Sequence, residues 1–177
     1  MLVLIFGKTR SGKTYLTKEK FIPDNNFIIY DVNNEYEDVT DLDLIDNVED
    51  FEDSIDNLDL PIRCDFETDE EIDQSFEILK KIKNCTIIID EFHQFVSKYD
   101  KKKKIFPLVR KQFHKGLNFV CISQRISDIH TSIFSQAHII ITFKQTELRD
   151  LDILEKYGFN PEAVKNLGEY KYIIKQT

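Results

Sequence analysis

Apolar residues gather in short unbroken runs: LVLIF at 2–6, FIIYDV at 27–32, CTIIID at 85–90, LNFVCIS at 117–123 and AHIIITF at 137–143. Runs of this length, without polar alternation, predict strands buried on both faces. Between them the spacing changes to that of helices. Ile72, Phe76, Leu79 and Ile82 share one face of a helix over 69–83. Further helices are expected from Gly12 to about Phe21, stopped by Pro23; directly after residue 90; over 105–115; and over 147–158, closed by Gly158. PIRCDF at 61–66 predicts an edge strand with Pro61 at its start, and EYKYIIK at 169–175 a final strand. Residues 33–60 hold only short apolar islands and read as loop with one or two short helices. Strands alternating with helices predict an α/β fold, a parallel sheet with helices on both faces. No repeat or linker interrupts the pattern, and residues 1–177 read as a single domain.

Composition changes this picture in two ways. A chain of 177 residues buries roughly 70% of its unfolded surface and needs no staples. Cys64, Cys85 and Cys121 are odd in number and widely spaced, and read as buried thiols of a reducing compartment. No stretch reaches the roughly 18 apolar residues of a membrane span. The apolar start lacks a basic flank and runs straight into a glycine loop, unlike a signal peptide. A soluble, intracellular protein is expected. The net charge of −8 is unevenly placed. Residues 31–77 carry twenty Asp or Glu against one Arg, a balance of −19, and residues 97–116 carry eight Lys or Arg against one Asp, a balance of +7. Overall the chain is no polyanion binder, but one segment has the charge for it.

The chemistry begins with GKTRSGKT at 7–14. Gly7, Gly12, Lys13 and Thr14 meet the spacing G-x-x-x-x-G-K-[ST]. A phosphate chain needs backbone N–H groups turned inward, hence glycines, and a helix N-terminus facing the anion. Lysine then reaches the terminal phosphates and the hydroxyl serves Mg²⁺. The competing reading is a chance glycine turn, but a strand precedes the loop and a helix follows. Lys8, Thr9, Arg10 and Ser11 complete the cradle, through backbone N–H groups in the case of Thr9, Arg10 and Ser11; the Arg10 side chain either touches a phosphate or points to solvent.

IIIDEF at 87–92 places Asp90 at the carboxyl end of a central strand, where open α/β sheets bind ligands. Asp90 is expected to hold Mg²⁺ through water and Glu91 to activate the attacking water. Gln124 ends another strand, where an amide can sense the γ-phosphate or equally cap the next turn.

In their order these segments resemble the FtsK–HerA superfamily of DNA-pumping ATPases. The resemblance runs over nearly the whole chain and rests on the phosphate loop, on Asp31, Glu35 and Tyr36 as a D-x-x-x-E-[YF] segment, on Asp90 and Glu91, and on the strand ending in Gln124 and Arg125. It implies a P-loop NTPase three-layer sandwich of the additional-strand, catalytic-glutamate type, with a mainly parallel central sheet. With so little outside the ATPase core, the chain is most similar to the genome-packaging ATPases of icosahedral viruses with internal membranes, archaeal turreted viruses included. The implied function is an ATP-hydrolysing translocase that packages double-stranded DNA, with ATP and Mg²⁺ bound and a homohexameric ring. Capsid or membrane vertex proteins are implied partners, and the implied location is the host cytoplasm or the virion.

Ile126 stands where the family often has proline, and Phe113 where many members have arginine. A ring ATPase takes a cation from the neighbouring subunit to neutralise transition-state charge. Arg110, which matches a family arginine, is the first candidate and Arg149 the second, each against a plain surface salt bridge. The lysine run at 98–104 can contact phosphates without reading sequence, or be a solvated loop. Two other enzymes stay open: a nucleoside or nucleotide kinase, since DEFHQF resembles thymidine kinases, and a Zot-like phage-assembly ATPase. A nucleotide-dependent scaffold is disfavoured by Glu91, because a pure switch needs no base there.

Overall fold

In the computed structural model, residues 1–39, 44–96, 104–110 and 112–177 are described. In chain order these are β1 (Leu2–Phe6), α1 (Lys13–Lys20), β2 (Phe27–Tyr30), β3 (Leu44–Ile45), α2 (Val48–Asn57), β4 (Ile62–Cys64), α3 (Asp69–Ile78), β5 (Thr86–Ile89), α4 (Ile105–Arg110), α5 (Gln112–Lys115), β6 (Asn118–Ser123), α6 (Thr131–Phe134), β7 (Ile139–Phe143), α7 (Leu148–Lys156), α8 (Pro161–Lys165) and β8 (Tyr172–Gln176). The strands form one sheet in the order β3-β4-β2-β5-β6-β1-β7-β8. All pairs are parallel except β7 with β8. β6 stands between β1 and β5, which makes it the additional strand of the expected type.

The unbroken apolar runs are explained by two buried faces. Leu2, Leu4, Phe6, Ile28, Ile87, Ile89, Phe119 and Cys121 point to one face, where they pack with residues of α2, α3, α4, α7 and α8. Val3, Ile5, Ile29, Ile88, Val120, Ile122 and Ile141 point to the other, against Leu16 of α1 and Tyr36. Side chains alternate along a strand, so each run feeds both layers in turn. The result is the three-layer α/β sandwich that the sequence predicts.

Several boundaries differ. The sheet is mixed, because β8 returns antiparallel at the edge. β4 is interior, with β3 outside it, so residues 61–66 do not form the edge. The helix expected after residue 90 is a single 3-10 turn, Phe92–Gln94. Glu91 sits at φ 45, ψ 43, a left-handed conformation that interrupts helix propagation. α3 starts at a Thr68–Glu71 capping box and ends at Ile78, although Leu79 and Ile82 remain buried as the helical spacing requires. The lysine run at 98–103 lies outside the described residues.

Register fixes where the chemistry emerges. Phe6 is opposite Ser123, and Ile89 is opposite Cys121. The residues that follow β1, β5 and β6 therefore leave the sheet at the same carboxyl edge. Gly7, Asp90 and Gln124 are those residues.

Candidate active site

The loop after β1 is shaped by two glycines. A Cβ on Gly7 would stand 2.5 Å from Ser11 Oγ and 2.8 Å from Phe143 Cβ, so only a bare backbone fits. Gly12 has φ 100, which favours glycine at the entry to α1. Lys13 is buried, and its Nζ donates to Lys8 O at 3.0 Å across the loop. Burial lowers the Lys13 pKa, while Glu91, Asp90 and Glu35 raise it. Thr9 and Lys8 use their side chains as well. Thr9 Oγ1 donates to Gln124 Oε1 at 3.2 Å, and Lys8 Nζ to Thr146 Oγ1 at 2.7 Å. Arg10 is exposed with φ 63.

Asp90 and Glu91 reach this loop from β5. Asp90 is buried, and its Oδ1 accepts from Glu91 N at 3.0 Å. Burial pushes its pKa up to about 7, with Glu91 and Glu35 adding to the rise and the Glu91 N–H and Lys13 opposing it. Glu91 Oε1 accepts from Gln124 Nε2 at 2.8 Å. Its Oε2 is buried without a hydrogen bond; His93 Nδ1 stands 3.3 Å away but is not aligned to donate. Gln124 is steadied in turn by Gln145, whose Nε2 donates to Gln124 O at 3.2 Å. Thr9, Gln124 and Glu91 thus form one hydrogen-bonded chain from phosphate loop to carboxylate.

The raised pKa of Asp90 sets a stability prediction for the metal-free protein. From the ordinary 3.8 up to about 7, folded Asp90 keeps a proton that the unfolded chain releases. Folding is therefore opposed increasingly as pH rises through that window. Asp90→Asn in EDTA is expected to raise the melting temperature near pH 8 by several degrees, on the order of 2 kcal/mol, and to leave it unchanged near pH 4. Equal shifts at both pH values, followed by thermal melts, would assign the effect to packing instead.

The segment after β2 also arrives here. Asp31 Oδ1 and Oδ2 accept from the backbone N–H groups of Glu35 and Tyr36, at 2.8 and 3.1 Å. Glu35 Oε2 then accepts from Thr14 Oγ1 at 2.5 Å. Spacing alone does not reveal this last contact, nor the approach of His93 to Glu91.

The arginines divide. Arg125 is pinned by Nε to buried Asp150 at 3.2 Å, and Ser127 N donates to the same carboxylate at 3.1 Å, which ties the end of β6 to α7. Arg110 and Arg149 are exposed and do not line the cavity at the phosphate loop. Arg110 borders a separate hollow with Phe106 and His130.

A family profile described as bacterial TniB protein matches residues 1–150. The chain belongs to the TniB family. No curated protein sequence matches it. Among solved structures, this TniB-family chain is similar to the genome packaging NTPase B204 from Sulfolobus turreted icosahedral virus 2 in complex with AMPPCP, with a TM-score of 0.82, 26% identity, and 99% of this chain and 91% of that chain covered. The ATP-γS complex of B204 gives a TM-score of 0.81 with the same identity and coverage. VirB4 of Thermoanaerobacter pseudethanolicus gives 0.63 at 10% identity, over 98% of this chain and 88% of that chain, which is a likeness of fold alone. The resemblance to packaging-type ATPases of the FtsK–HerA superfamily, carried by the order of motifs, is borne out.

In this TniB-family site, a cavity of 580 Å³ is lined by Thr9, Lys13, Thr14, Glu35, Asp90 and Glu91 among others. An adjoining hollow of 390 Å³ is lined by Tyr15, Leu16, Phe143, Tyr170 and Tyr172. The first is polar and charged, the second aromatic, as a phosphate chain and a flat base would require in turn. Among the described residues no three His, Cys, Asp or Glu side chains group so as to hold a metal alone. A cation at Thr14 and Asp90 would therefore depend on phosphate oxygens and water, which suits Mg²⁺.

Proposed function

We propose that this chain is an ATP hydrolase that drives double-stranded DNA into a viral capsid, acting as a homohexameric ring. The observation that carries the reading is the meeting of the phosphate loop, Asp90 and Glu91 at one cavity, with Gln124 hydrogen-bonded to both Glu91 and Thr9. The likeness to B204, a genome packaging NTPase bound to ATP analogues, supports the same conclusion.

Lys13 binds the β- and γ-phosphates and gives up its bond to Lys8 O to do so. Thr14 and Asp90 would hold Mg²⁺, which would supply neutralisation of the phosphate charge. Glu91 takes a proton from the attacking water onto Oε2, the oxygen with a free acceptor position. Water oxygen bonds the γ-phosphorus as the bridging oxygen leaves with ADP. Gln124 couples the step to the loop through Thr9. Arg110, or failing it Arg149, enters the neighbouring subunit's site and offsets transition-state charge. The base lies among Tyr15, Phe143, Tyr170 and Tyr172. The lysine run at 98–104 meets the DNA backbone, and capsid or membrane vertex proteins hold the ring in place, in the host cytoplasm or on the virion.

The test is phosphate release with and without linear duplex DNA. Hydrolysis that rises severalfold with DNA, and loses that rise in high salt, is expected. ATP turnover that transfers phosphate to an added nucleoside would establish the kinase instead.

A further inference from the structure

The hydroxyl of Thr14 has one proton and two lone pairs. Its proton is directed at Glu35 Oε2, 2.5 Å away, rather than at Asp90. Glu35 is exposed at the mouth of the cavity, yet its backbone is fixed. The N–H groups of Glu35 and Tyr36 both end on Asp31. Asp31 is 1% exposed, donates its own N–H to Cys64 O at 2.8 Å, and lies 3.4 Å from Arg63 Nη1. Arg63 Nη1 also donates to Asn34 Oδ1 at 2.5 Å, inside the same turn. Tyr36, fully buried, anchors the far side of the turn in the core. A carboxylate is thus built out from the end of β2, braced by β4, and brought against the first turn of α1.

We propose that Glu35 is a positioning residue for the metal–nucleotide complex. By accepting the only proton of Thr14, it leaves the hydroxyl lone pairs free, so that one can face a divalent cation at the cavity. The proposal rests on the nucleotide-hydrolysing reading above. Asp90 is not needed for this task; one of its oxygens already takes the Glu91 N–H. The spacing of Asp31, Glu35 and Tyr36 then has a chemical reason. The first residue caps the turn, the fifth aims a hydroxyl, and the sixth anchors the turn.

The experiment is a fluorescence titration of full-length protein with mant-ATP, in Mg²⁺ and in EDTA. The ratio of the two affinities reads the metal-dependent tightening. Glu35→Ala is expected to cut that ratio about tenfold, because a hydrogen bond to a charged group is lost. Glu35→Gln keeps an acceptor oxygen and is expected to retain most of the ratio. Thr14→Val lowers the ratio as Glu35→Ala does, and the Thr14→Val/Glu35→Ala double variant loses no more than Thr14→Val alone. An unchanged ratio in Glu35→Ala, additive losses in the double variant, or a Gln variant as poor as Ala would overturn the proposal. Wild-type protein that binds no mant-ATP in either buffer would overturn the nucleotide reading itself, and the proposal with it.

Discussion

Glu91→Gln is expected to abolish ATP hydrolysis, by about 10²–10⁴-fold, while nucleotide binding stays within a factor of about three. The substitution removes only charge and basicity. The Gln124 amide donates to Glu91 Oε1 at 2.8 Å, and a glutamine oxygen in that place accepts the same bond. Oε2 has no hydrogen bond, so the variant breaks no partner there. The backbone at φ 45 is kept, since glutamine tolerates that region no worse than glutamate. What disappears is the acceptor for the water proton. Single-turnover phosphate release, paired with mant-ATP affinity, separates the two effects. A variant that keeps more than about a tenth of the rate would place the base elsewhere.

Arg63→Ala is expected to cost about 3–5 kcal/mol of folding stability. The Arg63 and Asp31 side chains are 6% and 0% exposed, and their ion pair spans 3.4 Å. Removing the guanidinium leaves a carboxylate sealed under the sheet edge with no cation to offset its lost hydration. The two backbone N–H groups that it accepts do not replace a full charge. Asn34 loses its partner as well. For a chain of this size the loss corresponds to a fall in melting temperature of about 10 °C. Urea unfolding followed by circular dichroism measures it. A loss below about 1 kcal/mol would mean that water reaches Asp31 when the arginine is gone.

The two halves of the site differed in how plainly they were written in the chain. Gly7, Gly12, Lys13 and Thr14 are adjacent in sequence because one loop must wrap one anion, so spacing alone identifies them. Asp90 and Glu91 follow an apolar run, and a buried strand has to end where polar residues begin. Gln124 was legible for the same reason, but its bond to Glu91 joins residues thirty-three positions apart and depends on β6 lying beside β5. Neighbouring strands in a parallel sheet leave no spacing signal. The Thr14–Glu35 bond was hidden in the same way, although the D-x-x-x-E pattern marked the turn that makes it. In the fold, long apolar runs survived translation into strands, whereas short elements did not. β3 has two residues and α6 only four, too few for any periodicity to show. The expected helix after Glu91 failed because one residue adopts a left-handed conformation that composition does not reveal.

The acid-rich segment has a consequence for how the molecule meets a polyanion. Residues 31–77 form β3, β4, α2 and α3 together with their connections, and the strands among them make one end of the sheet. They carry −19 of a total of −8, so the rest of the chain carries +11. Charge separated in this way is an electric dipole lying across the strands. In the field of a polyphosphate the dipole feels a torque before any contact is made. The acid end swings away. The chain is thereby oriented during approach, at a range of about 10 Å that contracts as salt is added.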